Sequence, residues 1–270
     1  MNRRQLSVLL LAAALTVVAL FDWVDRPAQG YYESAFKRAL VTFALARTLN
    51  GVISVIQGTE LAIEPAGIGV VLSPGEIVDP INDLIERFSW VMLLSTTSLG
   101  VQNILMDISQ WWGVRALVVI GLLAFALSRT AKSRRTRLWM ARLFVACLLV
   151  RFIMPSMVIF SHAVYEVFMA DEATQSAIIV EDTATAVAQM AEEDREREDE
   201  SWMAAARAWF SETVSQLDVK ARMKVYADKL NQSIEHLLKL AAMFIFQTIV
   251  LPMGFLWAVM RGASRLVNTR

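Results

Sequence analysis

The stretch Arg129–Arg137 reads RTAKSRRTR, with five basic side chains, no acidic one, and an apolar run on either side, Trp111–Ser128 and Leu138–Phe160. A short basic loop between two apolar segments of near-membrane length marks a cytoplasmic turn between transmembrane helices, because lysine and arginine are retained on the cytoplasmic side. Fixing that loop in the cytoplasm orients the rest of the chain.

Composition agrees. Of 270 residues 56% are hydrophobic, which is too apolar for an ordinary soluble domain. Formal net charge is zero, but the charges are segregated, and the basic clusters only flank apolar runs. That arrangement argues against a nucleic-acid partner and names the lipid bilayer as the first one. The single cysteine, Cys147, lies inside an apolar run and leaves no intrachain disulfide or cysteine-based zinc site.

Residues 1–23 carry Arg3 and Arg4 ahead of the apolar run Leu6–Phe21. Phe21 and Trp23 stand where a cleaved signal needs small residues, so the segment reads as a retained anchor with its N-terminus inside. In 24–110, Tyr31–Gln57 is helix-compatible, and Ile68–Leu72, set among glycines and prolines, reads as a short strand or extended loop. Asp79-Pro80 then starts a helix towards Leu105, with Asp79 as cap. If 31–57 and 88–105 were two more spans, the acidic segment between them would be cytoplasmic. Charge therefore favours an extracytoplasmic, membrane-proximal helical subdomain.

The hairpin 111–160 holds the second and third spans around the basic loop 129–137. Trp111, Trp112 and Arg115 form an interfacial collar, and Pro155 interrupts the third span. Residues 161–236 contain no proline and carry the charge run EEDREREDES at 192–201 near their midpoint. Apolar residues at three-four spacing on both sides predict an antiparallel helical hairpin reaching ~50 Å at 1.5 Å per residue. Segment 237–270 supplies the fourth span, Leu237–Met260, and a basic tail. The three cytoplasmic pieces of this scheme, 1–5, 129–137 and 261–270, hold two, five and three basic residues and no acidic one. The expected fold is an all-α polytopic integral membrane protein, four spans, N-in and C-in, with its two helical regions outside; a bacterial inner membrane is the simplest setting.

Few residues suggest chemistry. Arg151 stands inside the third span, where an ionised group costs at least ~2.5 kcal/mol. It serves an anion or proton pathway or a salt-bridge latch, or it faces the bundle and bonds Gln247 or a carbonyl freed by Pro155 or Pro252, or it pairs with a second subunit. His162 with Glu166 one turn on, and Glu235 with His236, fall at the outer ends of the third and fourth spans. Together they would make an outer-face cluster for a proton or a metal, but no metal-ligand spacing such as HExxH supports it. Ser95–Ser98 (STTS) offers a polar helix face. Nucleophile elbows, phosphate loops and paired cysteines are missing, and no cofactor is expected.

Three functions follow. The foremost is a non-enzymatic scaffold or assembly component whose extracytoplasmic helices bind a second copy or another membrane or periplasmic protein. A channel or transporter subunit using Arg151 is the alternative. A membrane enzyme working at the outer face through His162, Glu235 and His236 is the third.

Overall fold

The computed structural model describes residues 3–60, 79–131, 133–205 and 212–268, and among these there are helices and no strands. The strand or loop expected at Ile68–Leu72 lies outside the described residues. The helices are α1 (Arg3–Leu20), α2 (Asp25–Glu60), α3 (Asp79–Gln110), α4 (Trp112–Ser128), α5 (Arg134–Phe168), α6 (Ala170–Ala205), α7 (Glu212–Ile245) and α8 (Leu251–Asn268). A five-residue π-helical turn, Phe246–Val250, joins α7 to α8.

Three helical stretches are long and apolar enough to cross a bilayer: Asp79–Gln110, Arg134–Phe168 and Ala227–Arg265. A fourth is added if α1 and α2, bent by 48° across residues 21–24, count as one broken span. The 17-residue helix α4 is apolar but shorter.

Local sequence explains the boundaries. Asp25 and Asp79 open α2 and α3 with a carboxylate in the first turn, where it meets the positive end of the helix dipole. Trp111 leaves the helical region (φ −57°, ψ 141°), which separates α3 from α4. Its ring lies over Gly113, where a β-carbon would push the indole aside. Pro155, expected to break the third span, is carried inside α5.

Burial follows a heptad-like rhythm. On α2 the buried positions include Ala35, Ala39, Thr42, Ala46, Leu49 and Ile53; on α3 they include Ile85, Phe88, Met92, Ser95, Leu99 and Gln102. Alternating steps of three and four keep one stripe facing the partner helices, as in left-handed bundles.

Two compact units share these helices. In the first (Met1–Lys37, Thr96–Phe168, Phe246–Arg270), α4 returns along α5 and α1 packs against both. Its core cluster is Ala12, Ala19, Val118, Phe125 and Phe144, with the Phe125 and Phe144 rings stacked at 5.6 Å. A β-carbon on Gly121 would sit 3.4 Å from Phe144 and 3.6 Å from the Cys147 sulfur, so the absent side chain lets the helices close up. In the second (Arg38–Ser95, Met169–Ile245), α6 and α7 pack antiparallel. Glu172 reaches Lys239, Ser176 reaches His236 and Thr183 reaches Ser233, so one index climbs as the other falls.

Contacts inside the first unit also fix heights along α5. Arg151 bonds the Ala19 carbonyl, so Arg3 stands level with the start of α5. Phe160 lies against Phe255 at 5.5 Å, and α8 runs beside the second half of α5. Six residues on, about 9 Å further along α8, Arg261 comes level with Met154. Arg3 and Arg134 therefore share a level, from which Arg261 stands ~30 Å away.

Candidate functional site

The most heavily charged buried spot is the joint between α1 and α2. Helix α1 ends at Leu20, leaving its last carbonyls without partners in the helix. Arg151 Nε donates to the Ala19 carbonyl at 3.0 Å, and Arg115 Nη1 donates to the Leu20 carbonyl at 3.3 Å. The same guanidinium groups then meet carboxylates. Arg151 is 0% exposed and binds Asp25 with both terminal nitrogens, Nη1 to Oδ1 at 2.8 Å and Nη2 to Oδ2. Arg115 donates to Asp22 at 2.5 Å and lies 3.9 Å from Asp25.

The result is an alternating row, Arg151–Asp25–Arg115–Asp22, with no net charge. Arginines face the negative end of α1 while Asp25 sits in the positive first turn of α2, so both helix dipoles favour the arrangement. Two arginines from α4 and α5 thus hold the bend in α1–α2. A buried pair of this kind adds little net stability, because desolvation offsets the attraction, but it penalises every arrangement in which one partner is left alone.

Sequence reading singled out Arg151 and missed Asp25. The partner is this carboxylate and the Ala19 carbonyl rather than Gln247. Asp25 lies four residues after the first apolar run, behind Asp22, and that position is the signal the sequence holds for it.

Gln247 is buried in the π-turn, and a second polar cluster lies beside it. Pro252 has no N–H to return to Thr248, four residues earlier, so that carbonyl is freed. Ser98 Oγ and Gln102 Nε2 each donate to it at 2.9 Å. The STTS face thus spends Ser98 on another helix, and the carbonyl freed by Pro252 goes to α3 rather than to Arg151.

The four outer-face candidates divide between the units. In the first, His162 stacks on Tyr31 at 3.8 Å between ring centroids, and its Nδ1 is 3.8 Å from Glu166 Oε1, beyond hydrogen-bond reach. In the second, His236 Nδ1 pairs with Ser176 Oγ at 3.2 Å, while Glu235 bonds Lys239, which also binds Glu172. Among the described residues no group of three or more His, Cys, Asp or Glu is set to hold a metal ion. No protein-family model, no curated protein and no solved structure matches the chain, so its functional reading rests on this geometry.

Proposed function

We propose that the chain is a non-enzymatic integral membrane protein, a scaffold or assembly component of a bacterial inner membrane that works through long helices on the periplasmic side. The observation that carries this reading is the α6–α7 pair. Within helices of 36 and 34 residues, Glu172, Ser176 and Thr183 meet Lys239, His236 and Ser233 in turn, an antiparallel pairing that anchoring does not require. Arg151 supports a structural use of the membrane part. Its charge is taken up by Asp25, whose side chain is 3% exposed, and that leaves little for a permeating ion.

The stretches we assign to the hydrocarbon layer are those long and apolar enough to cross it, Asp79–Gln110, Arg134–Phe168 and Ala227–Arg265, with α1–α2 as a broken fourth. With the basic loop in the cytoplasm the N-terminus is inside, and the exposed Trp23, Trp111 and Trp112 suit the outer interface.

Assembly is tested by counting copies of a fluorescently tagged full chain in native membranes and by chemical crosslinking. Complexes larger than one chain are expected; single copies with no crosslinked partner would overturn the proposal. The transport reading predicts instead that Arg151→Ala changes ion flux in reconstituted vesicles without loss of folded protein.

A further inference from the structure

Helix α5 opens against the pattern set by α2, α3 and α6. Those three carry acidic residues in the first turn, at the positive end of the helix dipole. The first turn of α5 holds Arg134, Arg135 and Arg137 and no acidic residue. Neighbouring segments add charge of the same sign. Arg3 stands level with Arg134, and Arg129 closes α4 with its guanidinium over the Phe125 ring at 4.6 Å. Helix α5 packs on α4, α8 and α1, and none of the three carries an acidic residue. On α5 itself the first is Glu166, ~47 Å beyond Arg135. These helices therefore hold no counter-charge for that end.

One face of this end has a defined geometry. Arg135, Trp139 and Arg142 follow each other at four and three residues, which puts them on one side of the helix. The Arg142 guanidinium lies over the Trp139 ring, 6.0 Å from its centre, as that shared side requires. Phe144, two residues past Arg142, is buried in the core with α1 and α4 and so points the opposite way. The arginine–tryptophan face thus turns away from the bundle, with Trp139 58% exposed. Leu143, Ala146 and Val150, all exposed, continue it along the helix.

We infer that this face binds an anionic phospholipid of the cytoplasmic leaflet. A basic helix end in contact with that leaflet meets headgroup phosphates, the nearest anions of complementary charge. Arg135, with Arg134 beside it, takes the phosphate through the two-pronged hydrogen bonding that suits a guanidinium to a phosphate. Trp139 lies one turn deeper, at the height where aromatic rings collect at the membrane surface, and holds Arg142 against the helix. One acyl chain then runs along Leu143, Ala146 and Val150. Bound there, the lipid offsets both the repulsion among the arginines and their conflict with the dipole of α5. A basic loop that only senses surface potential needs charge alone, whereas this site needs the guanidinium shape and the indole.

The site rests on the membrane reading above and not on assembly. The full chain, purified in a neutral detergent, is titrated with phosphatidylglycerol, phosphatidylcholine or inorganic phosphate. Bound lipid is counted by native mass spectrometry and the thermal midpoint is followed. Phosphatidylglycerol is expected to stay bound and raise the midpoint, and the other two are not. Arg135→Lys/Arg142→Lys keeps every charge, and with it the orienting signal, but should weaken phosphatidylglycerol binding roughly fivefold or more, because an ammonium lacks the fork. Arg261→Lys/Arg265→Lys, the same exchange elsewhere, should leave it unchanged. Equal retention of both lipids, an equal response to inorganic phosphate, or full affinity in the Arg135/Arg142 variant overturns the site. If that variant fails to accumulate, Trp139→Leu decides: it too keeps every charge, and undiminished affinity overturns the site. Loss of the lipid preference in chains that still assemble removes this site alone, and single copies that keep the preference remove assembly alone. A chain that stays in solution without detergent removes the membrane reading and this site with it.

Discussion

Removing the Asp25 carboxylate is the sharpest perturbation available. In Asp25→Ala the Arg151 guanidinium stays fully buried, keeps the Ala19 carbonyl and the Phe152 ring, and sits near Arg115 with no anion between them. Breaking a buried pair by deleting one partner costs ~3–5 kcal/mol, or about two to three and a half powers of ten in the folding equilibrium. The opposite deletion is milder. In Arg151→Met the remaining Asp25 still has Arg115 at 3.9 Å and sits in the first turn of α2, so ~1–3 kcal/mol is expected. The double variant Asp25→Ala/Arg151→Met removes both charges and should lie nearer the natural protein than Asp25→Ala does. Equilibrium unfolding in mixed detergent micelles, followed by far-ultraviolet circular dichroism, gives all three values. Three outcomes refute the reasoning: additive costs in the double variant, a larger loss for Arg151→Met than for Asp25→Ala, or an Asp25→Ala protein within 0.5 kcal/mol of the natural one (a typical surface substitution).

Other consequences are simpler to measure. Gln102→Ala should cost ~1–2 kcal/mol in the same unfolding assay, and Pro252→Ala should shrink that cost by restoring an N–H for the Thr248 carbonyl. An undiminished cost in the proline variant would show that Pro252 does not free the carbonyl. Gly121→Leu should drive α4 off α5 and cost at least ~1–3 kcal/mol, because the β-carbon alone already touches Phe144; equal thermal stability would contradict that close approach. For the membrane layer, single cysteines at Ser34, Ser133 and Ser264 with Cys147→Ser are labelled by an impermeant maleimide in cells with a permeabilised outer membrane. Ser34 should react from outside and Ser133 only after lysis, while Ser264 reports the side of the C-terminal helix; labelling of Ser133 from outside would overturn the cytoplasmic placement of the basic loop.

Much was legible in the chain itself. Apolar runs and their three-four spacing announce helices, because burial on a 3.6-residue period needs no knowledge of what lies opposite. Asp79-Pro80 marks a helix start for the same local reason, and the basic loop marks a tight connection between α4 and α5. Arg151 stands out because a charge inside an apolar run is costly wherever it points. Pairing is another matter. That Asp25 answers Arg151, that Ser98 and Gln102 answer Thr248, and that α8 lies beside the second half of α5 all depend on register between segments distant in sequence. Register is set by how ridges, glycines and bends fit together, and similar apolar patterns allow several fits. The sequence by itself determined an all-helical, membrane-type chain and its costly residue. Only the tertiary structure decided which carboxylate neutralises that residue, because the answer depends on how α5 sits against the α1–α2 bend.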